Sequence, residues 1–287
     1  VDRRKRVVCM STPEPAPSIE AEEGAVTLVR PRLRPPPPPP PRIFDRDETR
    51  FADAAMLEEL TSLRGQYGHL RDEALIEAMS HHAFAGRVAA VSSFGAESVV
   101  LLHMMAKVDP TIPVIFLNTG KLFGETLRYR DRLQDQLGLT DIRSLRPHPF
   151  DERRDDPDAD LWSRDPDKCC NFRKVLPLNA AMAPFRAELT GRKRFQTATR
   201  QKMQVIEIAA GRFKINPLTD WDMDALDAYM ERHRLPRHPL VADGFLSIGC
   251  MPCTQRVKPG EGYRSGRWAG LDKDECGIHD NVAGDGI

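Results

Sequence analysis

The chain lacks several things that would each have marked a class. It has no long apolar run: the richest, residues 99–106, holds a histidine and is far too short to cross a membrane. It has no charge excess, since 42 Lys and Arg balance 42 Asp and Glu. A globally cationic nucleic-acid binder is therefore not expected, although the balance leaves room for a local basic site. Its six cysteines over 287 residues are too few for a disulfide scaffold. The basic start (Arg3, Arg4, Lys5, Arg6) leads into no apolar segment, so no secretory signal is expected. Together these absences point to a cytoplasmic enzyme with functional thiols. A hydrophobic share of 40% still supplies a core.

What is present divides the chain into three. Residues 1–42 hold 11 of the 24 prolines, including an unbroken run from Pro35 to Pro41. Such a run forms an extended polyproline helix and packs no core, so a disordered extension is expected, with Cys9 incidental to it. Residues 43–242 alternate strand and helix patterns. Helices are expected over 51–63, 70–83, 98–107, 125–137 (ended at Gly138), 167–182 (interrupted near Pro177) and 221–234. Strands are expected over 87–91, 114–117, 141–145 and 195–199. The acid-rich stretch 151–160 is expected to be an exposed loop. This alternation predicts an α/β fold: a parallel sheet with helices on both faces. From residue 243 to 287 glycine is frequent and periodicity is lost, which predicts a loop-rich C-terminal segment ending in a mobile tail. No internal repeat is visible.

Three constellations carry chemistry. The first strand runs into Ser92-Ser-Phe-Gly-Ala-Glu-Ser98 ahead of a helix. Free N–H groups and the helix dipole there suit a bound phosphate, Gly95 admits close approach, and Ser93 and Ser98 add donors. No G-K-[ST] follows, so this is not a Walker loop. A plain serine-rich turn fits the same residues equally well. The cysteines form two pairs, Cys169-Cys170 and Cys250-Met-Pro-Cys253. Four thiolates suit zinc or an iron–sulfur cluster, and the directly adjacent pair favours [4Fe–4S] over the usual zinc spacings. Two buried apolar cysteines plus a redox pair remain the alternative. Cys276, alone in a glycine-flanked segment, is a candidate nucleophile or an incidental exposed thiol. Cations recur without an intervening acid from Arg192 to Lys202, and again at Arg256, Lys258, Arg264 and Arg267. In a neutral chain they suggest a small polyanionic ligand; a solvated surface is the alternative.

Together these motifs resemble the adenylylsulfate (APS) and phosphoadenylylsulfate (PAPS) reductase family, on its iron–sulfur side. The resemblance runs from about Arg87 to His279. It is carried by the phosphate loop, Leu117-Asn-Thr-Gly-Lys-Leu-Phe-Gly-Glu-Thr126, Cys169-Cys-Asn-Phe-Arg-Lys174, Gly249-Cys-Met-Pro-Cys-Thr254, Gly266-Arg-Trp268 and Glu275-Cys-Gly-Ile-His279. It implies an adenine-nucleotide α-hydrolase-like (PP-loop) sheet, a [4Fe–4S] cluster on Cys169, Cys170, Cys250 and Cys253, and Cys276 as nucleophile. Substrate would be held by Ser92, Ser93, Phe94, Gly95, Glu97, Ser98, Thr119 and Gly120. Arg200, Arg264 and Arg267 would clamp the phosphosulfate, with Lys174 linking cluster and substrate. The implied reaction is reduction of APS to sulfite and AMP in assimilatory sulfate reduction, through an S-sulfocysteine. Thioredoxin or glutaredoxin would be the reductant and a homo-oligomer the assembly, with no nucleic-acid or membrane partner. PAPS or dual use, an ATP-pyrophosphatase-type adenylating enzyme and a non-catalytic metal protein are the alternatives. Two positions depart from the family pattern: Asn118 stands where aspartate is usual, and Gly191-Arg-Lys-Arg-Phe-Gln-Thr197 replaces a Gly-Leu-Arg-Arg-x-Gln-Ser pattern.

Overall fold

The computed structural model describes residues 52–271, 273 and 275–278. The proline-rich residues 1–42, Cys9 and His279 lie outside the described residues. The elements in chain order are α1 (Ala54–Tyr67), α2 (Asp72–Glu77), β1 (Val88–Val91), α3 (Ser98–Val108), β2 (Val114–Leu117), α4 (Gly124–Leu137) and β3 (Ile142–Leu145). There follow α5 (Pro149–Asp155), α6 (Leu161–Arg164), α7 (Pro166–Cys170), α8 (Leu176–Met182), β4 (Ala187–Thr190), β5 (Ile206–Ala209), β6 (Arg212–Ile215) and α9 (Met223–Arg232). No helix among the described residues is long and apolar enough to cross a membrane.

The six strands form one sheet in the order β3-β2-β1-β4-β6-β5. All neighbours are parallel except the β5–β6 edge pair. Side chains alternate across the sheet, because successive Cβ atoms point to opposite faces. Val88 and Ala90 of β1, with Val114 and Phe116 of β2, join the large core under α1, α2, α3 and α9. Ala89 and Ile115 instead meet Leu178 and Met182 of α8 on the other face. The chain leaves β1 toward β2 on one side, while β4 lies on the other. A crevice therefore opens at the C-terminal ends of β1 and β4, the usual ligand position in such sheets.

Three expectations need correction. Residues 151–160 are an exposed loop only in their second half: His148 Nδ1 accepts from Phe150 N–H, Pro149 opens α5, which runs to Asp155, and Asp151 and Glu152 suit its N-terminus. Asp156 is fully buried against Arg173. Residues 195–199 are not a strand but belong to two short 3₁₀ turns, Arg194–Gln196 and Thr199–Lys202. The true strand, β4, and its neighbour β6 were hidden by Glu188 and Lys214, which break the apolar runs. These two face each other in register, both 0% exposed, and Lys214 Nζ donates to Glu188 Oε2 at 2.5 Å. Finally, the interruption near Pro177 comes earlier. A widened turn at Asn171–Val175 lets Leu176 N–H reach back to Asn171 O, and Pro177 follows without breaking the helix. That turn presents Arg173 and Lys174.

Candidate active site

An open cavity of about 200 Å³ occupies the crevice. The turn after β1 forms its floor. Phe94 takes a left-handed φ of 49°, and its N–H donates to Ser92 Oγ at 3.2 Å. The Phe94 ring turns down into the core, edge-on to Phe116 at 5.3 Å, so its side chain is not on the cavity. Gly95 lies under the returning C-terminal segment: a Cβ there would stand 3.2 Å from Ile248 O. Ser92, Ser93, Gly95, Glu97 and Ser98 all line the cavity. Glu97 is committed from below, pairing with Lys193 and accepting from Gln196 Nε2 at 2.8 Å. Burial pulls Lys193 below its ordinary pKa against the pull of Glu97. Arg192, from the β4 loop, donates to Glu207 Oε1 at 2.5 Å and to Asn216 Oδ1 at 3.1 Å. The loops after β1 and β4 are thus tied to each other and to the sheet edge.

The second wall comes from the turn after β2 and the C-terminal segment. Leu122 and Cys250 form an antiparallel bridge, Met251 N–H donates to Lys121 O at 2.7 Å, and Thr119 Oγ1 lies 3.2 Å from Cys250 Sγ. Gly120 is turned away from the cavity, toward Arg173 and Glu152. Thr254 bridges Arg267, and Gln255 N–H donates to Gly266 O at 2.7 Å. Gly266 is required there, because a Cβ would fall 2.2 Å from Gln255 O. This ladder carries Arg264, Arg267 and Trp268 to the cavity wall. Trp268 sits at a left-handed φ of 48° with Arg267 stacked 4.3 Å from its ring centroid. Strain of this kind concentrates at functional sites.

The tail runs along the cavity, with Glu275, Cys276 and Ile278 in its lining. Lys273 pairs with Asp167, Glu275 with Arg200, and Ile278 packs on the Ala89–Ile115–Leu178–Met182 cluster. Between these anchors Cys276 lines the same cavity as Lys174, Arg200, Arg264 and Arg267. Lys174 and Cys250 also line a second, adjoining cavity of only about 10 Å³, together with Cys169, Cys170 and Cys253. Burial disfavours charge on Lys174, but the Cys250, Cys276 and Cys170 sulfurs outweigh it and hold the ammonium protonated.

All four paired cysteines are free thiols gathered on this small cavity. Burial pushes Cys169 up to about 12 and raises Cys170 and Cys253. Cys250 is buried too, yet the nearby Lys174 and the Thr119 hydroxyl bring it down. Four thiols turned toward one pocket, with cations behind them, are a donor set suited to a thiolate-bound group. Among the described residues no three Cys, His, Asp or Glu side chains converge as a single-ion site.

Residues 87–256 match the family described as the phosphoadenosine phosphosulfate reductase domain. The chain belongs to this family. A protein of Mesorhizobium japonicum named adenosine 5'-phosphosulfate reductase is 51% identical over 228 residues, 79% of this chain and 90% of that protein. One of Chelativorans sp. with the same name is 51% identical over 222 residues, 77% of this chain and 91% of that protein. Among solved structures, the phosphoadenylyl-sulfate reductase of Candida auris, a phosphate complex, is 25% identical with a TM-score of 0.57. It covers 70% of this chain and 97% of its own. This likeness and the sheet order identify the PP-loop type of fold expected from the sequence. Cys276 lies beyond the matched residues and reaches the reductase-domain cavity only through the docked tail.

Sequence reasoning missed several residues at this reductase-family site. Arg173 is one: it donates to Thr119 O at 2.8 Å, Glu152 Oε1 at 2.7 Å and Asp156 Oδ2 at 2.6 Å, bracing the turn after β2 against the cysteine helix. Lys193 and Gln196 are others, each looking like one more cation or amide in a polar stretch. Glu275 and Trp268 lay inside motifs already singled out. Their signal was an acid beside a candidate nucleophile and an aromatic beside a candidate clamping arginine.

Proposed function

We propose that this protein reduces adenylylsulfate to sulfite and AMP by covalent catalysis at Cys276. One observation carries the reading: the phosphate loop, four arginines, Lys174 and the Cys276 thiol line one cavity. A relative at 51% identity named adenosine 5'-phosphosulfate reductase supports the choice of substrate.

The N–H groups and hydroxyls from Ser92 to Ser98 bind the AMP phosphate, while Lys174, Arg264 and Arg267 surround the sulfate charge. The Cys276 thiolate attacks the sulfur. The bond from sulfur to the bridging phosphate oxygen breaks, and AMP leaves with that electron pair. Cys276 is left as S-sulfocysteine. A protein dithiol, thioredoxin or glutaredoxin, then attacks Cys276 Sγ, and sulfite leaves with the pair of the sulfur–sulfur bond. The second thiol resolves the mixed disulfide and frees Cys276. Two electrons pass from dithiol to sulfur, and a disulfide is the oxidised product.

Cys169, Cys170, Cys250 and Cys253 would hold a [4Fe–4S] cluster. The gathering of all four sulfurs on one small pocket beside Arg173 and Lys174 supports this reading. When bound, such a cluster supplies a fixed structural and electrostatic neighbour for Lys174. A cytoplasmic setting, where dithiol reductants are kept reduced, suits this chemistry.

Sulfite release in the presence of thioredoxin, compared for APS and PAPS, tests the reading. A higher kcat/KM for APS is expected. A higher value for PAPS would move the assignment to the PAPS-using side of the family.

A further inference from the structure

The Arg200 guanidinium is expected from the sequence to grip the substrate's anion, yet in the fold it is turned onto protein partners. Nε lies 2.7 Å from Glu275 Oε1, and Nη2 donates to Glu275 Oε2 at 2.8 Å. Nη1 donates to Gln196 Oε1, and Gln196 in turn holds Glu97 at the start of α3. The Arg200 and Glu275 side chains are only 11% and 14% exposed. An ion pair largely removed from water and tied by a charge-assisted hydrogen bond holds both partners in place. Arg264 adds a second cation at 3.7 Å from Glu275. Glu275 directly precedes Cys276, so whatever fixes its carboxylate also limits where the thiol points.

We propose that Arg200 is a positioning residue: through Glu275 it docks the C-terminal tail and aims Cys276 into the cavity, leaving the substrate's charges to Lys174, Arg264 and Arg267. This rests on the reading of Cys276 as the nucleophile. Proximity is the physical reason for such a device. A thiol on a glycine-rich tail samples many positions, and in-line attack needs one of them. The other two anchors, Lys273 with Asp167 and Ile278 on the α8 face, flank this one and hold the tail's course but not the torsions next to the thiol. The pair must also come apart when the dithiol reaches Cys276. An ion pair can do that by hydrating both partners.

The test uses the holoenzyme and four variants: Glu275→Gln, Glu275→Arg, Arg200→Glu and the reciprocal swap Arg200→Glu with Glu275→Arg. Two quantities are read. One is the rate of Cys276 alkylation by iodoacetamide without substrate, followed by peptide mass spectrometry. The other is single-turnover adduct formation with APS, from which Kd and the saturated rate are separated. Loss of a charge-assisted, largely buried pair should speed alkylation and slow the saturated rate by about tenfold each, with Kd changed less than about twofold. The swap should restore both rates to within a few-fold of wild type. Glu275→Gln, nearly isosteric, decides the matter alone if Arg200→Glu does not fold. If Glu275→Gln leaves alkylation and saturated rate unchanged, the proposal is wrong. It is equally wrong if Arg200→Glu raises Kd about tenfold while the saturated rate holds, since Arg200 is then a substrate clamp. If wild type forms no adduct with APS, the assigned reaction fails, and the alkylation series still decides whether the pair docks the tail.

Discussion

His238 shows at the scale of one residue how burial sets protonation. It is 1% exposed. Its Nδ1 accepts from Leu240 N–H at 3.2 Å, so Nε2 carries the proton and donates to Thr126 Oγ1 at 3.0 Å. Burial holds it neutral, pulling its pKa down to about 4. In the unfolded chain histidine titrates near pH 6.5, so the unfolded state takes up the proton first as pH falls. The stabilisation is complete above that value and is lost as pH drops toward 4. Between about pH 7 and pH 5 the loss is about 2 kcal/mol from this group. Urea midpoints at the two pH values should show this difference, and His238→Gln should flatten that part of the pH dependence. The same sensitivity to surroundings explains which site residues were legible. The cysteine pairs, Cys276 and the phosphate-loop serines announce their chemistry by type and spacing. Glu275, Lys193 and Arg173 do not, because their roles come from a partner 75, 96 or 17 residues away in sequence.

At the scale of elements, β1, β2, α3, α4 and α9 were legible because their apolar runs or one-sided patterns match their burial. β4 and β6 were not, since each hides a charge in mid-strand. Glu188 and Lys214 are paired across the register in the dry interior of the sheet, with Arg212 Nη1 at 3.7 Å from Glu188. Burial lowers the Lys214 pKa against the pull of Glu188. Removing one partner leaves the other charge stranded. Glu188→Gln should therefore cost about 3–5 kcal/mol, whereas Glu188→Leu with Lys214→Met should recover most of it. Denaturant unfolding of the three proteins checks this; an unchanged Glu188→Gln midpoint would show that the pair is not needed. α5 was lost to the eye for a related reason. Its acids look solvated in sequence, but Arg173 draws Glu152 and Asp156 inward and fastens this segment beside the cysteine cavity.

At the scale of the whole molecule, the topology brings distant motifs to one place. Loops after β1, β2 and β4 meet at the sheet's C-terminal edge. The C-terminal segment returns along them, carrying Cys250, Arg267 and, at its end, Cys276. The second cavity, sharing Lys174 and Cys250 with the first, joins the thiol pairs to the reacting centre. Protein purified without oxygen should contain iron and acid-labile sulfide, and Cys169→Ser or Cys253→Ser should lose both. Stoichiometric zinc in colourless, active protein would contradict the cluster. The central claim is that Cys276 is the atom that takes the sulfur, and its most direct test is mass spectrometry of the protein mixed with APS in the absence of reductant. A single sulfonate adduct on Cys276, released as sulfite on adding a dithiol and absent from Cys276→Ser, is the predicted result. An adduct on another cysteine, or sulfite release by the serine variant, would contradict it.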